Sequence, residues 1–258
     1  MKNPNMRQHP ERAWHLQGAT NFRDLGGYVG FEGRSVRWGR LFRSDHLAAL
    51  TGADRARLAQ LPLALSFDFR GVEERAATPY DLPGLKQLSL AIEPTVTQRM
   101  KDMAEAGKQL TPTLVGELMK DLYRSLVGER AHRFAEFFEH VLQADAALVF
   151  HCTAGKDRTG IAAALLLLAL GVPRSVVKED FLLTNALYKH PPVVGSETPP
   201  ETLAVLWSVQ AGFLDAALLL IDTQLGGIER YLADRMQLCG SARAELRERY
   251  VVARELAA

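Results

Sequence analysis

The stretch HCTAGKDRTG, residues 151–160, places a cysteine between a histidine and a basic, glycine-containing turn, in a chain with only two cysteines. The apolar run AALVF at 146–150 reads as a strand leading into it, and Thr159 to Leu170 reads as an apolar helix closed by Gly171 and Pro173. Strand, tight loop and helix in that order aim the loop amides and the helix N-terminus at one point, which attracts an anion. Cys152 stands at that point, where a thiol ionises readily and becomes a nucleophile. After five intervening residues comes Arg158, whose planar fork grips two oxygens of a tetrahedral dianion. This C-x5-R-[ST] spacing suits phosphate. The loop residues Thr153, Ala154, Gly155, Lys156, Asp157 and Arg158 wrap three equatorial oxygens while the sulfur faces phosphorus in line. Thr159 is placed to donate to the thiolate. A nucleotide-binding Walker loop is excluded, because Gly155-Lys156 is followed by Asp157 rather than by Ser or Thr.

With these residues in view, HCTAGKDRTG resembles the signature loop of the cysteine-dependent protein tyrosine phosphatase superfamily. NFRDLGG (21–27), GRLFRSDHL (39–47), FDFRGVEE (67–74) and EDFLLTN (179–185) further resemble a bacterial family of multi-specific tyrosine and lipid phosphatases, from about residue 14 to the C-terminus. The resemblance implies an α/β fold with a mostly parallel central sheet and helices on both faces. It also implies chemistry without metal or cofactor, and a phosphorylated protein or a phosphoinositide as substrate.

The leaving oxygen needs a proton, so a carboxylic acid must lie within reach. Asp68 matches the position of an aspartate that the resembling family uses as general acid, with a salt bridge to Arg70 or Arg75 as its structural alternative. Asp157, beside the bound phosphate, is the other candidate. His151 is expected to order the loop through hydrogen bonds rather than to carry protons. Lys156 is either solvated or, as the resemblance implies, extra charge for headgroup phosphates. Arg23, Asp24 and Arg43 either line the cleft or form an ion pair that locks an N-terminal hairpin. Cys239 is expected to be structural, with a redox partnership to Cys152 as the alternative.

The elements that position these residues alternate strand and helix. A hairpin leads to a strand over 36–42, a helix covers 51–60, and strands at 63–70 and 85–90 lie side by side with a loop between them. Two helices span 113–143, broken near Gly128; another starts near Ser175, and the C-terminal third is helical over 201–221 and 226–256. Lids are expected near 95–112 and 189–200. With 258 residues, 47% of them hydrophobic, the chain has enough core for one domain over 14–258 behind an extension at 1–13. A net charge of +1 excludes the long-range field used by nucleic-acid or membrane binding, so an anion must be held locally. No Cys/His cluster has zinc spacing. No signal peptide is read at the N-terminus, and Ile161–Val172 is too short for a bilayer span, so a cytoplasmic protein is expected. Two rivals remain: a phosphate-reading binding module, which would normally lack the cysteine, the arginine or the acid, and a rhodanese-like sulfurtransferase, whose loop does not require C-x5-R-T.

Overall fold

In the computed structural model, which describes residues 12–93, 95–190 and 198–253, the first strands are β1 (Arg23–Asp24), β2 (Ser35–Val36) and β3 (Leu41–Ser44). The one strand predicted over 36–42 is therefore two, because Gly39 adopts φ +72° and turns the chain between them. Helix α1 (Gly52–Leu58) begins at a capping box in which the Thr51 hydroxyl accepts from Asp54 N and the Asp54 carboxylate accepts from Thr51 N. Next come β4 (Leu63–Asp68), α2 (Val72–Ala77), β5 (Lys86–Ser89), α3 (Thr95–Glu105), α4 (Pro112–Val127) and α5 (Ala131–Gln143). The sequence predicts only a loop where α2 stands, since six residues carry too little periodicity to register. Strand β6 (Ala147–His151) then leads to α6 (Arg158–Ala169) and α7 (Arg174–Leu187). The C-terminal part holds α8 (Pro200–Trp207), α9 (Ala211–Gln224), α10 (Gly227–Asp234), α11 (Gly240–Tyr250) and β7 (Val251–Val252). The stretch predicted as one helix over 201–221 breaks between α8 and α9 with a bend of 49°. The helical C-terminus ends in a strand, β7, that pairs antiparallel with β2.

Among the described residues the main sheet has the order β1-β3-β6-β4-β5. Strands β3, β6, β4 and β5 run parallel, and β1 closes one edge antiparallel to β3. Strand β6 lies between β3 and β4 and is buried along its whole length. Its side chains alternate between two cores. Leu148 and Phe150 join the larger core with Phe134 and Phe137 of α5, while Ala147 and Val149 join a smaller one with Phe22 and with Leu58 of α1. Helices therefore cover both faces of a mostly parallel sheet, as expected. Helix α6 is apolar nearly all round and almost wholly buried, as such a helix must be.

Ser44 and Asp68 are both in register with His151, so β3, β4 and β6 end together. Ligands of α/β sheets bind at that carboxyl edge. Arg12 is buried with its guanidinium 3.9 Å from the centre of the Tyr28 ring, so it packs with the domain rather than with an extension; residues 1–11 lie outside the described residues. In the first expected lid segment, Val96 and Met100 of α3 are buried in the larger core. In the second, residues 191–197 lie outside the described residues. No single helix among the described residues is long and apolar enough to cross a membrane.

Candidate active site

Strand β6 delivers Cys152 to the edge of the sheet, buried at 2% exposure. The chain then turns through 153–157 into α6. Gly155 takes φ +63°, and a Cβ there would stand 2.2 Å from Ser44 O, so only glycine fits this approach of the loop to β3. None of the amides of 153–157 donates to a protein group among the described residues, an arrangement in which backbone N–H groups can take up an anion.

Arg158, the first residue of α6, is buried and held on one edge. Its Nη1 donates to Glu74 Oε2 at 2.6 Å and to Ile92 O at 2.9 Å, and its Nη2 donates to Glu74 Oε1 at 2.9 Å. No described group takes the Nε proton, so the Nε–Nη2 edge stays available to an oxyanion. Glu74 also accepts from Gly71 N at 2.8 Å and from the Thr153 hydroxyl, which ties α2 to the loop. Burial opposes charge on Glu74, but the hydrogen bonds and charge of Arg158 outweigh it and hold the carboxyl down at about 2. Sequence reasoning missed Glu74 although FDFRGVEE ends on it. The available signal was its place three residues after Gly71, where a capping carboxylate is expected at the start of a helix.

The two candidate acids stand in different environments. Asp68 is buried at 3% exposure. Arg70 Nε reaches its Oδ1 and Oδ2 at 3.0 and 3.1 Å, Arg70 Nη2 reaches Oδ2 at 2.8 Å, and Arg70 N reaches Oδ1 at 2.9 Å. Burial raises its proton affinity, but those Arg70 bonds prevail and hold the carboxyl below its usual range. Asp157 lies inside the loop with its side chain 20% exposed. Tyr123 Oη donates to its Oδ1 at 2.8 Å, and Lys156 Nζ lies 2.8 Å from its Oδ2. Lys156 is itself buried and also donates to Leu206 O of α8 at 3.0 Å, so it is not a solvated side chain.

His151 is fully buried. Its Nε2 lies 2.6 Å from Tyr80 Oη, which lies 2.8 Å from Ser66 Oγ, and its Nδ1 lies 3.3 Å from Cys152 O. Burial pushes the ring down to about 4 against the opposing charge of Asp68, with Arg70 adding to the fall, so the ring is neutral at pH 7. Thr159 Oγ1 is buried without a hydrogen-bond partner, so the donation to Cys152 expected from the sequence is not made in this arrangement. Arg23 and Arg43 do not pair with Asp24. Both bond Asp180 on α7, at 3.1 and 2.7 Å, while Asp24 accepts from the amides of Gly26 and Gly39 at 2.7 and 2.6 Å. Cys239 is exposed at the start of α11 rather than in the core, and both cysteines are free.

Cys152 thus opens a strand–loop–helix cradle whose amides have no protein partner among the described residues, beside an arginine aimed by Glu74. The profile of the tyrosine phosphatase family matches residues 14–252, and the chain belongs to that family. A Cupriavidus necator protein whose name assigns it as a tyrosine-protein phosphatase is 34% identical, covering 85% of this chain and 82% of its own. A tyrosine-protein phosphatase of Nostoc commune is 31% identical over 74% of this chain and 67% of its own. The triple specificity protein phosphatase PtpB of Mycobacterium tuberculosis is 29% identical over 85% of this chain and 92% of its own.

Two outcomes are expected. Glu74→Gln keeps the shape but removes the charge that aims Arg158, and should lower kcat/KM by roughly tenfold or more; an unchanged kcat/KM would mean that Arg158 is positioned by other contacts. The folded His151 ring titrates at about 4, against about 6.5 in the unfolded chain. The unfolded state therefore binds the extra proton between these values, and this ring's contribution to stability rises with pH across that window. Asp45, pushed up by burial to about 6, acts in the opposite sense over much of the same range. Imidazole nitrogen shifts measured by NMR should report a neutral His151 at pH 6, and a midpoint at the ordinary histidine value would contradict this.

Proposed function

We propose that the protein hydrolyses phosphomonoesters through a phosphocysteine on Cys152, with phosphotyrosine-bearing proteins as its main substrates. One observation carries the reading: a buried cysteine opens a loop whose amides at 153–157 have no protein partner among the described residues, beside an arginine already aimed by Glu74. The Sγ thiolate attacks phosphorus, an S–P bond forms, and the ester P–O bond breaks in line, its electron pair leaving on the ester oxygen. A carboxylic acid protonates that oxygen. Amides of 153–158 and Arg158 neutralise the equatorial oxygens, a task a metal ion performs in other phosphatases. Water then cleaves the S–P bond and gives a proton back to the carboxylate, releasing phosphate and the thiolate.

We assign the acid to Asp157. The bonds that Arg70 makes to both oxygens of Asp68 stabilise its charged form and oppose the protonated form an acid must supply. Asp157 also pairs with a cation, Lys156, but it lies in the loop itself, is partly exposed, and is oriented by Tyr123. Asp68 serves instead to fix Arg70, whose Nη1 reaches Thr78 O and Oγ1 at 2.9 and 2.8 Å. The name of the PtpB relative, a triple specificity protein phosphatase, supports activity on more than one class of phosphoester. A headgroup contact by Lys156 requires release of its bonds to Asp157 and Leu206 O, which favours monophosphorylated substrates. The free thiols support action in a reducing compartment such as the cytoplasm.

Phosphate release should be measured with EDTA present on phosphotyrosine peptide, phosphoserine peptide and phosphoinositides. Wild type is expected to favour phosphotyrosine at a rate EDTA does not change, and Cys152→Ser to be inactive. Asp157→Asn should lose roughly 10²–10⁴-fold in kcat, and Asp68→Asn should lose stability more than rate. A metal-dependent rate, or Asp68→Asn falling as far as Asp157→Asn in kcat with its fold intact, would contradict the assignment.

A further inference from the structure

The loop's carbonyls need partners as much as its amides need an anion. In a planar trans peptide the C=O and the next N–H point in opposite directions, so whatever holds a carbonyl on one side turns the following amide to the other. Three consecutive carbonyls are held in this way. Thr153 O accepts from His46 N at 3.1 Å. Ala154 O and Gly155 O each accept from Asn21 Nδ2 at 3.0 Å, and Gly155 O also accepts from Arg43 Nη2 at 2.9 Å. The amides turned away by these bonds belong to Ala154, Gly155 and Lys156, which donate to no protein group among the described residues.

Asn21 is itself locked. Its Oδ1 accepts from Arg23 Nη1 and its backbone N donates to Asp45 Oδ1 at 3.1 Å. Arg23 and Arg43 both end on the buried Asp180 of α7. NFRDLGG, LFRSD and EDFLLTN thus converge behind the loop, on the side away from the amides. We propose that Asn21 is a positioning residue for phosphate binding, seconded by Arg43: by fixing the carbonyls of Ala154 and Gly155 it aims the amides of Gly155 and Lys156 at the phosphoryl oxygens. The proposal rests on the phosphatase reading and adds a device that reading does not require.

Oxyanion affinity separates this role from packing alone. In a Cys152→Ser background, tungstate is titrated by calorimetry, and adding Asn21→Ala should raise Kd by roughly tenfold or more, the worth of one charge-assisted hydrogen bond. Tyr28→Phe is the control, because the Tyr28 hydroxyl donates to the same Asp180 carboxylate at 3.0 Å but reaches no loop carbonyl. It should lower Tm and leave Kd unchanged. An unchanged Kd in Asn21→Ala, or an equal loss in Tyr28→Phe, overturns the proposal. Should Asn21→Ala fail to fold, Arg43→Lys carries the same test, since one ammonium nitrogen replaces the two that serve Asp180 and Gly155 O. A weaker Kd there supports positioning and an unchanged Kd overturns it. If the Cys152→Ser parent itself binds no tungstate, the phosphatase reading fails, and the positioning role with it.

Discussion

Consecutive peptide groups at the end of one strand must all aim their amides at a single point, and most of the structure serves that constraint. A chain of net charge +1 has no general field with which to hold a dianion, so oriented peptide dipoles and one arginine must do it. Peptides forced into that arrangement need their carbonyls satisfied on the far side. Here the partners come from His46 just after β3, from Asn21 just before β1, and from Arg43 within β3. Behind them, one buried carboxylate, Asp180, bonds both Arg23 and Arg43. Strand β6, buried throughout, and the apolar α6 leave the loop little freedom to relax.

The same economy of charge sorts the acidic residues. Four of the carboxylates at or behind the loop pair with cations: Glu74 takes Arg158, Asp68 takes Arg70, Asp180 takes Arg23 and Arg43, and Asp157 takes Lys156, with a further bond from Tyr123. Three of them are held ionised by guanidinium groups. A carboxylate fixed in that way positions a cation well and holds a proton poorly. Asp157 differs in pairing with a lysine, Lys156, and in lying within the loop itself. His151 stays neutral for a different reason, complete burial between Tyr80 and the Cys152 carbonyl.

The centre of the site is legible in the sequence because it is contiguous: Cys152, the loop and Arg158 follow one another between a predicted strand and a predicted helix. The parallel sheet and the helix break near Gly128 are legible through periodicity and stop signals. What is not legible is pairing across the fold. Arg23 and Arg43 read naturally as partners of the nearby Asp24, yet their carboxylate is Asp180, 157 residues from Arg23, and only packing α7 against the sheet brings them together. Asp68 reads as an acid because of where it stands in the chain, while the arginine two residues on decides its charge. The split of the predicted 36–42 strand and the short α2 escape for a local reason, since a few residues between turns carry too little pattern to declare their state.

The central claim is a covalent bond from Cys152 to phosphorus, and the most direct measurement is to trap it. Protein mixed with a phosphotyrosine peptide carrying a labelled phosphoryl group is quenched in acid within one turnover, digested, and mapped by mass spectrometry. The label is expected on the peptide containing Cys152, to be absent in Cys152→Ser, and to accumulate further in Asp157→Asn when a substrate with a good leaving group removes the need for acid in the first step. Turnover with no label on Cys152, or with label on another residue, would contradict the phosphocysteine and with it the role given to the loop.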